Sequence, residues 1–439
     1  MKPVIVFTFL YLISSSLKAQ TNNLGSTKNQ YYFKSDSIET IIRPTQNEVV
    51  CMSMLIKGGV SNYTFLEQGI EPLAINCVLL GATKNYTESQ ISEKLYESGL
   101  RIECQYAVDY TILTFTFPIS SWDESWKILS EILLNPVFQT SNYEAAKQET
   151  EADAAIWFKD NYASSLTESL KDIFANKQLD KTPFGEGNFI NNISLEQARK
   201  YYSGLITRSR IVLSIVGNIT EAQVKNKIKT EWSSIPLGYN SNFPYQSIDL
   251  NTSTFKFQSQ INYSKNIFTC ISSGPEAFSD DEIKISVILK IIQDRLIEKN
   301  IQNKISFEDP LVSLSNNVQP LSIIQFTSNN ADKTMQALID EVKKIKKYSV
   351  GTLELQKAKD NFLISYFTNY ESNKSMSIEL AKHIYYHQKD YYDRIENVLS
   401  NFDVLDAPPI IKKYIKAFKI YYNGNVESAN SIVFIQKLE

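Results

Sequence analysis

Residues 69–86 read GIEPLAINCVLLGATKNY, and the rest of the chain is best read outward from them. Gly69 to Leu80 reads as an apolar helix followed by Gly81. Pro72 falls inside it and is expected to disturb the helix interior, because proline has no N–H and its ring crowds the preceding turn. Upstream, Val49 to Ile56 is an apolar strand that ends at Gly58-Gly59. Downstream, Glu88 to Glu97 reads as a second helix and residues 101–117 as a long hairpin or bent strand. Leu113, Phe115 and Phe117 take one face there and Thr114 and Thr116 the other, the period of a strand.

Ser121 is placed to cap the next helix, which carries Trp126, Leu129, Ile132 and Leu133 and is closed by Asn135-Pro136. A long polar helix follows from about Asn142. Arg210 to Val216, RIVLSIV, reads as a buried strand stopping at Gly217-Asn218. Thr220 and Gln223 form a capping box, and Val224, Ile228 and Trp232 recur at helical spacing behind it. Residues 235–253 lose all periodicity and gather Pro, Gly, Asn and Ser, the pattern of a linker.

Beyond the linker the theme recurs. Asn266 to Ser272 is apolar, Gly274 follows, and a helix is expected from Asp280 to about Lys299. Ile420 to Asn425 repeats the strand-Gly-Asn ending of Ser214 to Asn218. The chain therefore reads as two similar α+β units in tandem.

The 439 residues suffice for two or three domains, and 25 Tyr with 23 Phe and few Gly is a packed, globular composition. A net charge of −3 with no basic tract argues against a nucleic-acid partner. Lys2, the apolar run Val4 to Ile13 and the small residues before Gln20 form a secretory leader pattern. A mature, periplasmic or secreted chain starting near Gln20 is expected, with no membrane-spanning segment after cleavage and no lipobox cysteine. Cys51, Cys77, Cys104 and Cys270 are too few for a disulfide framework; buried free thiols are expected, with one bridge in the first half as the alternative.

Several anchors in order resemble the insulinase/pitrilysin-type peptidases of family M16. That family writes the opening stretch as G-[IL]-x-H-x-x-E-H-x-x-x-x-G-T, followed by a turn bearing lysine and tyrosine. Gly69-Ile70 and Gly81 to Tyr86 keep the frame. Leu55 to Gly59, Gly99 to Thr111 (GLRIECQYAVDYT), Asn135 to Phe138, Phe184-Gly185, Ile193 to Glu196, Tyr201-Tyr202 and Ile215 to Asn218 resemble further family segments. The resemblance implies an α+β fold of two tandem homologous domains, each a mostly antiparallel sheet with helices packed on one face. The boundaries expected are 1–19 leader, 20–240 first domain, 241–254 linker and 255–439 second domain.

The resemblance also implies a zinc site, and the ligands it requires are missing. The two histidine positions read Pro72 and Asn76, and the general-base position reads Ile75. Two histidines one helical turn apart, a glutamate between them and a later glutamate would hold the metal and activate its water. On the later helix Glu149, Glu151 and Asp153 are the candidates for the third ligand. The family's Arg and Tyr, which stabilise the oxyanion, fall on Ile301 and Phe307 in RLIEKNIQNKISF. No catalytic residue, metal or cofactor is therefore expected. Ile102, Glu103, Cys104 and Gln105 match the strand that binds substrate backbone, and peptide binding by strand addition tolerates side-chain change.

His383 and His387, in AKHIYYHQKD, are spaced one turn apart on an expected helix; incidental placement is expected, since nothing nominates further ligands. The reading is an exported, non-catalytic M16-like protein. It would serve as partner of an active M16 subunit or of a second copy of itself, or as a peptide-binding or scaffolding protein that takes an extended peptide. The alternatives are an active zinc endopeptidase with displaced ligands and an unrelated periplasmic binding protein.

Overall fold

The computed structural model describes residues 30–185, 187–239, 248–258, 266–302, 304–314 and 320–424. The leader, residues 241–247 of the linker and Asn425 lie outside them. The first half supplies strands β1 (Tyr31–Ser35), β2 (Ile38–Pro44), β3 (Val49–Lys57), β4 (Arg101–Tyr106), β5 (Tyr110–Pro118) and β6 (Ile211–Gly217). Its helices are α1 (Ile70–Leu79), α2 (Glu88–Ser98), α3 (Trp122–Leu134), α4 (Thr140–Lys159), α5 (Asn161–Ile173), α6 (Gly187–Asn191), α7 (Leu195–Leu205) and α8 (Glu221–Glu231). The second half supplies β7 (Thr254–Gln258), β8 (Ile267–Ser273), β9 (Glu308–Leu314), β10 (Leu321–Thr327) and β11 (Lys419–Asn423). Its helices are α9 (Asp280–Ile301), α10 (Ala331–Tyr348), α11 (Thr352–Asn369), α12 (Asn373–Tyr385), α13 (Tyr391–Asn401) and α14 (Ala407–Tyr414).

The first sheet has the order β1-β2-β6-β3-β5-β4 and the second β7-β11-β8-β10-β9. Without β1, the two orders correspond strand for strand. In each, one parallel pair (β2 with β6, β7 with β11) precedes three antiparallel ones. The tandem α+β architecture is therefore present in the pairing itself.

Strand alternation sets up the packing. Val50, Met52, Met54 and Ile56 of β3 face the first-half helices in one core. Trp126 and Trp232 meet there with ring centroids 4.7 Å apart, both fully buried, each worth about 2–3 kcal/mol of burial. The capping box at Thr220 forms as the sequence indicates. Ser121 occupies the N-cap position of α3, but its side chain makes no capping bond.

Each sheet's own helices cover one face; the other face is covered by a helix from the opposite half. On the first sheet, Leu55, Ile112 and Val212 pack against Leu380, Ala381 and Ile384 of α12. Ser53 and Ser377 hydroxyls bond at 2.8 Å across this junction. On the second sheet, Ser165 of α5 bonds Thr269 at 2.9 Å and accepts from Asn423 Nδ2 at 2.7 Å. Among the described residues no helix is long and apolar enough to cross a membrane. All four cysteines are free, with Cys104 half-buried and the other three buried.

Candidate functional site

The chain enters α1 through Gly69, whose φ of 88° is left-handed. A Cβ there would lie 2.5 Å from the Phe184 carbonyl oxygen, and one on Gly185 would lie 2.5 Å from that of Gln68. Two backbones cross too closely for side chains, so both glycines of the frame are steric requirements. Pro72 is the third residue of α1, and the first i→i−4 bond of the helix is donated by Leu73 to Gly69. The expected disturbance does not arise: in the first turn the missing N–H has no intrahelical partner to lose.

Ile75 is 1 % exposed and packs in the first core. Asn76 turns towards α4, where its Nδ2 donates to Thr150 Oγ1 at 3.0 Å. Thr150 in turn donates to the Ala146 carbonyl at 2.7 Å and is fully buried. The residue facing the second histidine position is thus Thr150, and none of Glu149, Glu151 or Asp153 makes this contact. Glu149 is exposed and the other two are half-buried. The Asp153 carboxyl is raised by burial and then by the charge of Glu149. The inward row of α4, Tyr143, Ala146, Thr150 and Ala154, runs at helical spacing; that row was the signal for Thr150, and the acidic neighbours drew attention away from it.

These groups do not fit a zinc ion. Proline and isoleucine have no donor atom, and the Asn76 amide and Thr150 hydroxyl are neutral groups engaged with each other. Zinc takes imidazole, thiolate or carboxylate.

One carboxylate at the head of α1 is buried, and it is Glu71, which the sequence did not single out. It is 2 % exposed and accepts from the Thr111 and Tyr201 hydroxyls and from Asn62 Nδ2 at 3.4 Å. Burial raises its carboxyl above the ordinary value, opposed by these donors and by Arg210. Sealed from solvent, it ties α1 to β5 and α7 rather than meeting a substrate. Asp109, two residues before Thr111, accepts from Tyr386 at 2.8 Å, and its carbonyl accepts from Tyr385 at 3.0 Å. The Asp-Tyr-Thr anchor therefore joins the two halves.

The second-half positions do not converge on one another. Ile301 ends α9 and is 76 % exposed, whereas the Phe307 ring is buried against Phe326 at 5.1 Å. Arg295 of the same segment forks onto Glu354 at 2.6 and 2.7 Å and reaches Glu341 at 3.1 Å, so its guanidinium is spent within the fold. The two histidines part company too. His383 is buried on α12, bonded to the Tyr370 hydroxyl at 2.9 Å and pushed down to about 3 by burial. His387 lies past the end of α12 with φ 60°, exposed to solvent. The pair does not share the helix its spacing suggested, because the chain turns out of the helix after Tyr385.

The strand expected to bind peptide is β4, which among the described residues lies at the edge of the first sheet and pairs with β5 alone. Ala107 donates to Tyr110 at 2.9 Å at the hairpin end. From that pair, antiparallel alternation directs the N–H and C=O of Gln105, Glu103 and Arg101 inward and those of Ile102, Cys104 and Tyr106 outward. The side chains of Ile102, Cys104 and Tyr106 rest on the first core, while Glu103 turns to the opposite face and pairs with Lys374 at 2.5 Å. Burial raises the Cys104 thiol to about 12, so it stays protonated.

The frame turn after α1 is structural as well. Lys84 N–H donates to the Asn135 carbonyl and Val137 N–H to that of Ala82, each at 2.9 Å. Asn85 Nδ2 reaches Glu131 at 3.1 Å.

Known proteins share this fold. Residues 41–186 match the family model described as insulinase (peptidase family M16), and residues 192–362 match the peptidase M16 inactive domain. No curated protein matches the chain. Among solved structures, a protease from Helicobacter pylori is similar with a TM-score of 0.78 at 14 % identity, covering 90 % of this chain and 99 % of that one. A peptidase M16 inactive domain from Pseudomonas fluorescens gives 0.79 at 12 %, covering 91 % and 98 %. The first half of the periplasmic protease PqqL from Escherichia coli gives 0.75 at 16 %, covering 94 % and 96 %. The two family models together account for most of the chain, so the chain belongs to the M16 insulinase-like family.

Proposed function

We propose that this protein is an exported, non-hydrolytic M16 subunit that holds an extended polypeptide along β4 and works beside an active M16 peptidase or a second copy of itself. The observation that carries the reading is the Asn76–Thr150 hydrogen bond, which stands where a zinc ion would need charged or imidazole ligands. The open edge of β4 offers alternate backbone donors and acceptors to a peptide added as a further strand. The likeness to the first half of the periplasmic protease PqqL supports the export. We place the junction between the two units in residues 241–254.

The test combines metal analysis of the purified protein with cleavage of a fluorogenic peptide, with and without chelator, and capture of a non-cleavable extended peptide. The reading expects no stoichiometric zinc and no chelator-sensitive cleavage. It also expects saturable capture that Cys104→Pro abolishes by deleting one outward N–H. Stoichiometric zinc with chelator-sensitive hydrolysis, or capture indifferent to Cys104→Pro, would sink it.

A further inference from the structure

A cavity of about 640 Å³ opens between the C-terminal ends of α3, α7 and α8 and the turn after α1, and shares no residue with the β4 edge. Its volume is that of a small-molecule site, roughly 300–1,000 Å³. Leu133, Phe138, Tyr202, Ile206 and Ile235 form an apolar floor and are all buried. Asn135, Ser203 and Ser234 line its polar side: the Asn135 amide donates to Glu131 at 2.8 Å and the Ser203 hydroxyl to the Lys200 carbonyl at 2.7 Å, and both serines are exposed.

The charges at the mouth are unbalanced. Lys84 from the turn, Lys127 from α3 and Arg199 from α7 border it. Of the two carboxylates present, Glu231 pairs with Lys227, while Glu131 keeps its negative charge, held by the Asn85 and Asn135 amides, so the three cations at the mouth still outnumber the carboxylates. Arg199 has an exposed partner in Glu196, but among the described residues Lys84 and Lys127 form no ion pair. At the end of α3 and in the turn behind it, three carbonyls that would repel an anion already have donors. Tyr202 donates to the Leu133 carbonyl, Lys84 N–H to that of Asn135 and Arg199 to that of Phe138. A buried apolar floor beside two lysines without an ion pair fits one chemistry. We infer that this cavity binds a short apolar peptide by its free C-terminal carboxylate, the carboxylate lying between Lys84 and Lys127 and the side chains on the floor.

The probe is N-acetyl-Leu-Phe-Leu as free acid, with its C-terminal amide as control, titrated by calorimetry. Tryptophan emission gives a second readout, since the Trp232 indole donates to Ser130 on the cavity wall at 3.0 Å. The free acid should bind one to one, the amide at least about tenfold more weakly. The Lys84→Glu/Lys127→Glu variant should lose about as much without a change in unfolding midpoint, both residues being exposed. Cys104→Pro should leave this binding unchanged, which separates it from capture along β4. Any of four results overturns the inference: no saturable binding, equal affinity for acid and amide, indifference to the lysine variant, or acetate competing as well as the tripeptide. A requirement for a much longer peptide overturns it too, pointing to a docking groove for a protein partner.

Discussion

A double-mutant cycle on Asn76 and Thr150 tests whether these residues stand as a bonded pair where the family resemblance sets a zinc ligand. Thr150→Val keeps the volume and removes the hydroxyl. The Asn76 amide, 9 % exposed, then loses its acceptor, and a buried unsatisfied donor costs about 1–3 kcal/mol. Ala146, whose carbonyl the hydroxyl also contacts, retains its place in the α4 ladder, so little is added there. Asn76→Leu should cost less, about 1 kcal/mol, because the Thr150 hydroxyl still has the Ala146 carbonyl to bond. With both changed, no polar group is stranded, and the double variant should be more stable than additivity allows by about 1 kcal/mol. Urea unfolding of the four proteins, with m-values compared, reads the coupling directly. Costs that add to within about 0.3 kcal/mol would refute the pairing and with it the observation on which the proposed loss of the metal site rests.

Three further outcomes follow from individual sites. Glu282, buried at the head of α9 with its carboxylate accepting from Phe278 N–H at 2.5 Å, is raised by burial to about 7 against the opposing effect of Lys382. Because its folded value lies above its unfolded one, the stability it contributes is present below about pH 4.5 and is lost as pH rises through about 7. Glu282→Gln should therefore gain on the natural protein by about 3 kcal/mol between pH 4 and pH 8.5 in urea titrations, and parallel pH profiles would contradict this. Gly69→Ala should destabilise by about 1–3 kcal/mol or more in thermal or urea unfolding, since the new methyl meets the Phe184 carbonyl at 2.5 Å in a left-handed backbone. Pro72→Ala should change stability by less than about 1 kcal/mol, whereas a proline breaking a helix interior would be relieved by about 3 kcal/mol.

Much of the architecture was legible because it is local. The strand over Val49–Lys57, the helix over Ile70–Leu79 and the capping box at Thr220 follow from periodicity and cap chemistry within a few residues. The frame residues were legible too, as anchors of a family, and the structure gives their physical reason. Gly69 and Gly185 allow two backbones to cross, Lys84 and Asn135 lock a turn to a helix end, and Asp109 binds two tyrosines of the other half. Glu71 was missed because a glutamate in a helical first turn reads as a solvated, dipole-favoured charge. Only the distant Thr111 and Tyr201 make it a buried clamp.

The sequence by itself determined the family frame, the tandem plan and the identities of Pro72, Ile75, Asn76, Ile301 and Phe307, the residues that the family resemblance sets at the catalytic positions. Those are facts of residue identity, and no fold changes what donor atoms a proline or an isoleucine lacks. Tertiary structure alone decided what those positions do instead. It brought Thr150 to Asn76, buried Phe307 while leaving Ile301 in solvent, took His387 off the helix of His383, left β4 at a sheet edge and laid a helix of each half on the other half's sheet. Each of these pairs groups far apart in the chain or set by a turn, and spacing along a sequence carries no information about which faces will meet once two sheets and their helices pack.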